Sequence, residues 1–88
     1  MYKLFLRKSV ETIFFKLAKK NPKQLEIIYK KVEEIVLDPH RYKNLRWPLN
    51  HWKRVHIDKN FVLTFSIDEK TKTITLEDYD HHDKIYSK

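Results

Sequence analysis

Eighty-eight residues allow one domain with a single modest core, and the absence of cysteine excludes disulfides and thiolate metal sites. A formal net charge of +7 suits an anionic partner, nucleic acid or an acidic protein, although the same surplus also serves solubility alone. Charges recur every few residues through MYKLFLRK, so neither a signal peptide nor a membrane span is expected there, and the chain reads as a soluble cytoplasmic protein.

Tyr2, Leu4 and Leu6 alternate with Lys3, Phe5 and Arg7, which predicts a short first strand. Ser9 is expected to end it and to cap a helix, its hydroxyl accepting from free backbone N–H groups while Glu11 suits the positive helix end. Val10, Ile13, Phe14, Leu17 and Ala18 follow at helical spacing and make a core-facing stripe. Asn21-Pro22 halts this helix and starts another, with Asn21 as cap and Pro22 at the first helical position, where a missing N–H costs nothing. Leu25, Ile28, Val32 and Ile35, flanked by Tyr29 and Val36, carry the second helix to Asp38-Pro39. So short a connection predicts an antiparallel helical hairpin.

From His40 to Asn50 the periodicity is lost, which predicts a loop. There Arg41, Lys43 and Arg46 are interleaved with Tyr42 and Trp47, a mixture that can pair phosphates and stack bases. The plainer alternative is that Leu45, Trp47 and Leu49 plug the end of the core. His51 to Phe65 then reads as two strands around a polar turn at Asp58-Lys59-Asn60, and the rest of the chain is expected to support this hairpin. Val55 and Ile57 alternate with Arg54, His56 and Asp58, while Phe61, Leu63, Phe65 and Ile67 alternate with Val62, Thr64 and Ser66. One face is thus core and the other carries ionisable groups. After a turn at Asp68-Glu69-Lys70, Thr71 to Tyr79 sets Ile74 and Leu76 against Thr73, Thr75 and Glu77, a last strand. The order β-α-α-β-β-β predicts an α+β fold: a helical hairpin on one face of a small twisted sheet whose last three strands form an antiparallel meander. The pattern leaves the strand order open.

Chemistry falls mainly to histidine, the side chain that donates and accepts protons near neutral pH. His56 stands mid-strand between Arg54 and Asp58 on the ionisable face; a solvated strand residue is the alternative. His81 and His82 end the last strand and lead to Asp83, Lys84 and Tyr86, where an ordinary polar strand end would look the same. His40 and His51 are read as structural. A metal held by His56, His81, His82, Asp80 and Asp83 is disfavoured: no HExxH or similar ligand spacing occurs, and adjacent His81 and His82 would point to opposite sides of a continuing strand. The chain has no glycine, so a Gly-rich phosphate loop is excluded; with many Lys and Glu, that composition also fits a thermophile or a biased genome. Metal-free handling of a phosphodiester by His, Lys, Arg and Tyr remains.

The element order, the run His-x-x-x-Asn-Phe-Val-Leu-x-Phe at His56 to Phe65, and His82-x-x-x-Tyr86 resemble the RelE/ParE superfamily of small toxins, most closely its YafQ-like branch. The resemblance implies a RelE-like fold and an endoribonuclease that cuts messenger RNA on the ribosome without cofactor or metal, silenced by an acidic, RelB-like antitoxin. His56 and His82 match histidines at which the branch keeps function, and Tyr86 matches its C-terminal aromatic. Asn60 stands where the branch has an acidic residue, Lys43 falls roughly at the place of an upstream histidine, and the middle-strand arginine of RelE proper would fall at Val62. On this reading the RNA 2′-hydroxyl attacks the adjacent phosphorus. His56 and His82 share the acid–base work, Lys53 and Arg54, with Lys43, stabilise phosphoryl charge, and Tyr86 stacks on or orients the nucleotide. Lys43, Arg46, Lys53, Lys84 and His81 are expected to bind RNA. Two rivals share much of the pattern: a ParE-like toxin that inhibits a protein target without cutting RNA, and a plain RNA-binding module.

Overall fold

The computed structural model describes residues 1–87. Its elements are β1 (Lys3–Leu6), α1 (Lys8–Lys20), α2 (Pro22–Leu37), β2 (Lys53–Ile57), β3 (Phe61–Asp68), β4 (Thr73–His81) and a short α3 (His82–Tyr86), with a 3-10 turn at Pro39–Arg41 after α2. The expected β-α-α-β-β-β order holds, and a final helical turn follows it. β2, β3 and β4 form the antiparallel meander; β1 lies beside β4 and parallel to it, so the sheet order is β1-β4-β3-β2.

Helix α1 begins earlier than its composition suggests. The Arg7 N–H still bonds the Leu76 carbonyl at 3.1 Å, while the Arg7 carbonyl already accepts from Glu11 at 2.9 Å. One residue therefore ends the strand and opens the helix, which leaves Ser9 inside the first turn rather than at the cap. Asn21 does cap α2, its Oδ1 accepting from the Gln24 N–H at 3.2 Å, with Pro22 at the start. Because the chain has no glycine, the two left-handed turn positions fall to Asp58 (φ 57°) and Lys72 (φ 53°). Asp tolerates that region better than most residues; for Lys72 the Cβ clash costs roughly 1–2 kcal/mol.

The helices cover one face of the sheet. Val10 and Phe14 of α1 and Leu25, Ile28, Val32 and Ile35 of α2 pack on Val55, Ile57, Leu63, Phe65, Ile74, Leu76 and Tyr79. Ala18, expected in the stripe, lies in the exposed last turn of α1. Strict alternation along β4 would turn Tyr79 away from the face that holds Ile74 and Leu76. A β-bulge prevents this: Thr64 pairs with Asp78 but Phe65 pairs with Leu76, so Glu77 is the extra residue and the side-chain parity resets. The Tyr79 hydroxyl then donates to Gln24 Oε1 at 2.8 Å inside the core, and burial, with Asp58 adding to it, raises the phenol pKa. Tyr79→Phe is expected to cost about 1–3 kcal/mol, because the buried Gln24 oxygen loses its donor; urea unfolding of both proteins measures it.

Three boundaries differ from the sequence reading. β2 begins at Lys53, not His51, because residues 50–52 turn to bring the preceding loop alongside. β4 runs from Thr73 to His81 rather than from Thr71 to Tyr79, since His81 still pairs with Phe61. Val62 and Thr64, assigned to the polar face, are fully buried. A second cluster of Leu45, Val62 and Ile85, with Leu49 and Trp52 against it, covers that part of the outer face. The loop and α3 are therefore packed onto the sheet, and the space between them is where the ionisable side chains meet.

Candidate active site

Alternation along β2 sends Val55 and Ile57 into the core and leaves Arg54 and His56 on the outer face. The loop before β2 forms one wall beside them. It is held by main-chain bonds from Arg54 N–H to the Lys43 carbonyl (3.0 Å) and from Leu45 N–H to the Trp52 carbonyl (2.9 Å). The Lys53 ammonium adds bonds to the Tyr42 carbonyl (2.9 Å) and Asn44 Oδ1 (3.0 Å). The other wall is α3, pinned by the His82 N–H on the Asn60 carbonyl at 2.7 Å and by buried Ile85. A spacing of i, i+4 puts His82 and Tyr86 on the same side of that turn.

The result is an open groove of about 490 Å³ lined by Lys43, Asn44, Arg46, Arg54, His56, His82 and Tyr86. The His56 and His82 rings are stacked, 5.6 Å apart and inclined by 26°. The Tyr86 ring lies 4.5 Å from His82 and inclined to it by 49°, with the Arg54 guanidinium 5.8 Å from the Tyr86 ring centre. His82 Nδ1 is 3.5 Å from Asp83 Oδ1. His56 is held below the usual histidine range, first by partial burial and then by the positive charge of Arg54 and by His82. It is therefore mostly neutral at pH 7 and able to accept a proton. Lys43, Arg46 and Arg54 form no salt bridge among the described residues, so three cations face a groove that also holds two imidazoles and a phenol. That combination can bind a phosphodiester and move protons around it.

Of the nine expected site residues, His56, His82, Tyr86, Arg54, Lys43 and Arg46 line the groove and three do not. Lys53 shares the core-side parity of Val55 and ties down the loop instead. His81 packs on Phe61, 5.0 Å between rings, on the opposite face of the sheet, because α3 starts one residue later and turns only His82 inward. Lys84 is exposed on α3 away from the groove. Asn44 was not anticipated: only its bridge to Lys53 brings it to the wall, and no motif marks it. Asn60 contributes a carbonyl, which any residue there would supply. Trp47, the expected core plug, is 83% exposed, whereas Leu45 and Leu49 do fill that place. No group of three or more His, Asp or Glu able to hold a metal ion occurs among the described residues.

A protein of Methanocaldococcus jannaschii named "Putative toxin RelE4" is 54% identical to this chain over 88 residues, covering all of this chain and 94% of its own length. The chain belongs to the RelE family of toxins. An uncharacterized protein of Methanosarcina mazei, 66% identical over 86 residues, covers 98% of this RelE-family chain and the whole of its own length. No family model matches. Solved structures extend the likeness at the level of fold. The YoeB/ParE toxin from Agrobacterium tumefaciens superposes with a TM-score of 0.82 at 11% identity, over 91% of this chain and 98% of its own. The toxin–antitoxin complex RelBE2 of Mycobacterium tuberculosis gives 0.76 at 20%, over 92% and 98%. YafQ of E. coli gives 0.69 at 12%, over 98% and 99%. The α+β architecture of two helices on a four-stranded mixed sheet is thus the RelE-type fold.

Proposed function

We propose that this toxin is a ribosome-dependent endoribonuclease that cleaves messenger RNA by attack of the RNA's own 2′-hydroxyl, leaving a 2′,3′-cyclic phosphate and a free 5′-hydroxyl. The observation that carries the reading is the pairing of two imidazoles across one cationic groove. His56, kept neutral by its surroundings, takes the proton of the attacking 2′-hydroxyl. His82, stacked on His56 and beside Tyr86, gives a proton to the leaving 5′-oxygen. Arg54 meets the charge that grows on the phosphoryl oxygens, with Lys43 and Arg46 holding the flanking phosphates. Tyr86 stacks on the nucleotide at the scissile bond, and exposed Trp47 beside Arg46 offers a second stacking face. A ParE-like inhibitor of a protein target would have no use for this set of side chains, and a plain RNA-binding module would not need its paired imidazoles.

The toxin is proposed to act in the cytoplasm and to be neutralised by an acidic, RelB-like antitoxin, in keeping with the net charge of +7 and with the RelBE2 complex among its structural neighbours. No helix among the described residues is long and apolar enough to cross a membrane. Adding the purified protein to translating ribosomes and mapping message ends by primer extension tests the activity; intact message sinks it. RNA affinity is expected to fall with salt at a log–log slope of about −2, since three groove cations each displace roughly 0.7 counterion from a single strand. A flat response in a filter-binding titration would remove Lys43, Arg46 and Arg54 from the interface.

A further inference from the structure

Tyr86 lines two spaces. Besides the groove, it borders a smaller hollow of about 90 Å³ whose other walls are Leu45, Arg46, Trp47, Leu49 and Ile85. Arg46 and Tyr86 belong to both, so the hollow continues the cationic groove. Its floor is the second apolar cluster, in which Leu45 and Ile85 are buried and Leu49 packs against them. Trp47 belongs to neither apolar cluster and stays open, although tryptophan is highly buried on average.

The exposure of Trp47 does not come from a slack loop. The Leu49 N–H donates to the Arg46 carbonyl at 3.0 Å, which makes Trp47 the second residue of a hydrogen-bonded turn. The Trp52 N–H then donates to the Leu49 carbonyl at 3.0 Å, and Asn44 Nδ2 donates to the Asn50 carbonyl at 2.8 Å. The turn is thus tied at both ends and holds the indole out beside the hollow. No carboxylate lines that space: its polar side-chain groups are the Arg46 guanidinium, the indole N–H and the Tyr86 hydroxyl. Such a lining suits one flat ring system attached to negative charge rather than a helix or a strand.

We propose that this hollow is a second nucleobase subsite: the base next to the scissile nucleotide stacks on Trp47 above the Leu45, Leu49 and Ile85 floor, and Arg46 holds the phosphate on the way to it. The proposal rests on the RNA reading above and adds a neighbouring base to it. Stacking on an indole uses the ring face that every base has, so the subsite tolerates all four bases. Its effect is on register. With one base on Tyr86 and its neighbour on Trp47, the strand is fixed at two points, which sets the phosphodiester that lies beside His56 and His82.

The test uses the whole toxin and a short RNA whose scissile nucleotide is 2′-deoxy, so that the attacking hydroxyl is missing and binding alone is read. An abasic nucleotide is moved along this RNA one position at a time. At one position beside the scissile nucleotide it is expected to weaken filter binding by about 5- to 150-fold, the usual loss of one stacked base. Trp47→Ala is expected to lose the same factor with the intact RNA and nothing further with the abasic one, because both changes remove one contact. Its salt slope should match that of the wild type, since no charge is removed, and Trp47→Phe should recover most of the affinity. Truncating an exposed side chain opens no cavity, so thermal unfolding of both variants should stay near that of the parent. Unchanged RNA affinity in Trp47→Ala, which would leave the hollow to a protein partner, or a full abasic penalty persisting in that variant, overturns the subsite alone. A wild-type toxin that retains no RNA at low salt overturns the RNA reading and the subsite with it.

Discussion

His56→Ala and His82→Ala are each expected to lower message cleavage by about 10²–10⁴-fold, the range set by removing one general acid–base group. Neither change opens a cavity in the main core. His56 is an exposed residue on the outer face of β2, and His82 is only half-buried at the start of α3. The thermal unfolding of both variants should therefore stay near that of the parent. The rings are stacked on each other and, in the proposed mechanism, serve one phosphodiester, so their effects should not add: the double variant should lose little beyond the worse single one. Cleavage on translating ribosomes and growth arrest on induction both report the loss. A folded single variant with full activity would return that histidine to an ordinary structural role.

Arg54→Gln should produce two separable effects. The first is a loss of rate of about 10²–10³-fold, the usual consequence of removing one preorganised donor from developing phosphoryl charge. The second concerns pH. As the proposed base His56 must be unprotonated, so the rate is expected to fall as pH drops through its pKa, which burial, Arg54 and His82 together keep below the ordinary 6.5. Removing the guanidinium takes away a charge that disfavours the imidazolium. The His56 pKa then rises, and the acid limb of the rate profile moves to higher pH. Arg54→Lys keeps the charge but not the planar fork, so it should leave the limb near its original position while still slowing cleavage. An acid limb that does not move in Arg54→Gln would show that the group titrating there is not His56.

How much of this was legible beforehand depends on whether a feature is local. The two helices, the Asn21-Pro22 junction and the Val55/Ile57 against Arg54/His56 division depend on periods of 3.6 and 2 that a single segment displays. Ser9 failed as a cap because Arg7 was already engaged by Leu76, sixty-nine residues away in sequence, and no local rule contains that bond. Trp47 and Leu45 look equivalent in a basic loop, yet one is open and the other buried, because only Leu45 lies over Val62 and Ile85. Only the family resemblance set His82 apart from His81; their local pattern did not, and it was the start of α3 that turned one into the groove and left the other beside Phe61.

The sequence by itself determined the element order, the helical hairpin and the meander, since each follows from side-chain alternation or helical spacing; alternation also put His56 on the ionisable face, while His82 and Tyr86 were singled out by the family resemblance. Tertiary structure alone decided that β1 lies at the sheet edge beside β4, because the pairing of strands separated by two helices leaves no trace in either strand's pattern. It also decided which cations face the groove. Lys43, Arg46 and Arg54 reach it while Lys53 does not, because its strand parity and its bonds to Tyr42 and Asn44 turn it to the loop. In a chain with nineteen Lys and Arg, charge is abundant; packing of the loop and α3 against the sheet selects the few that can meet a phosphate.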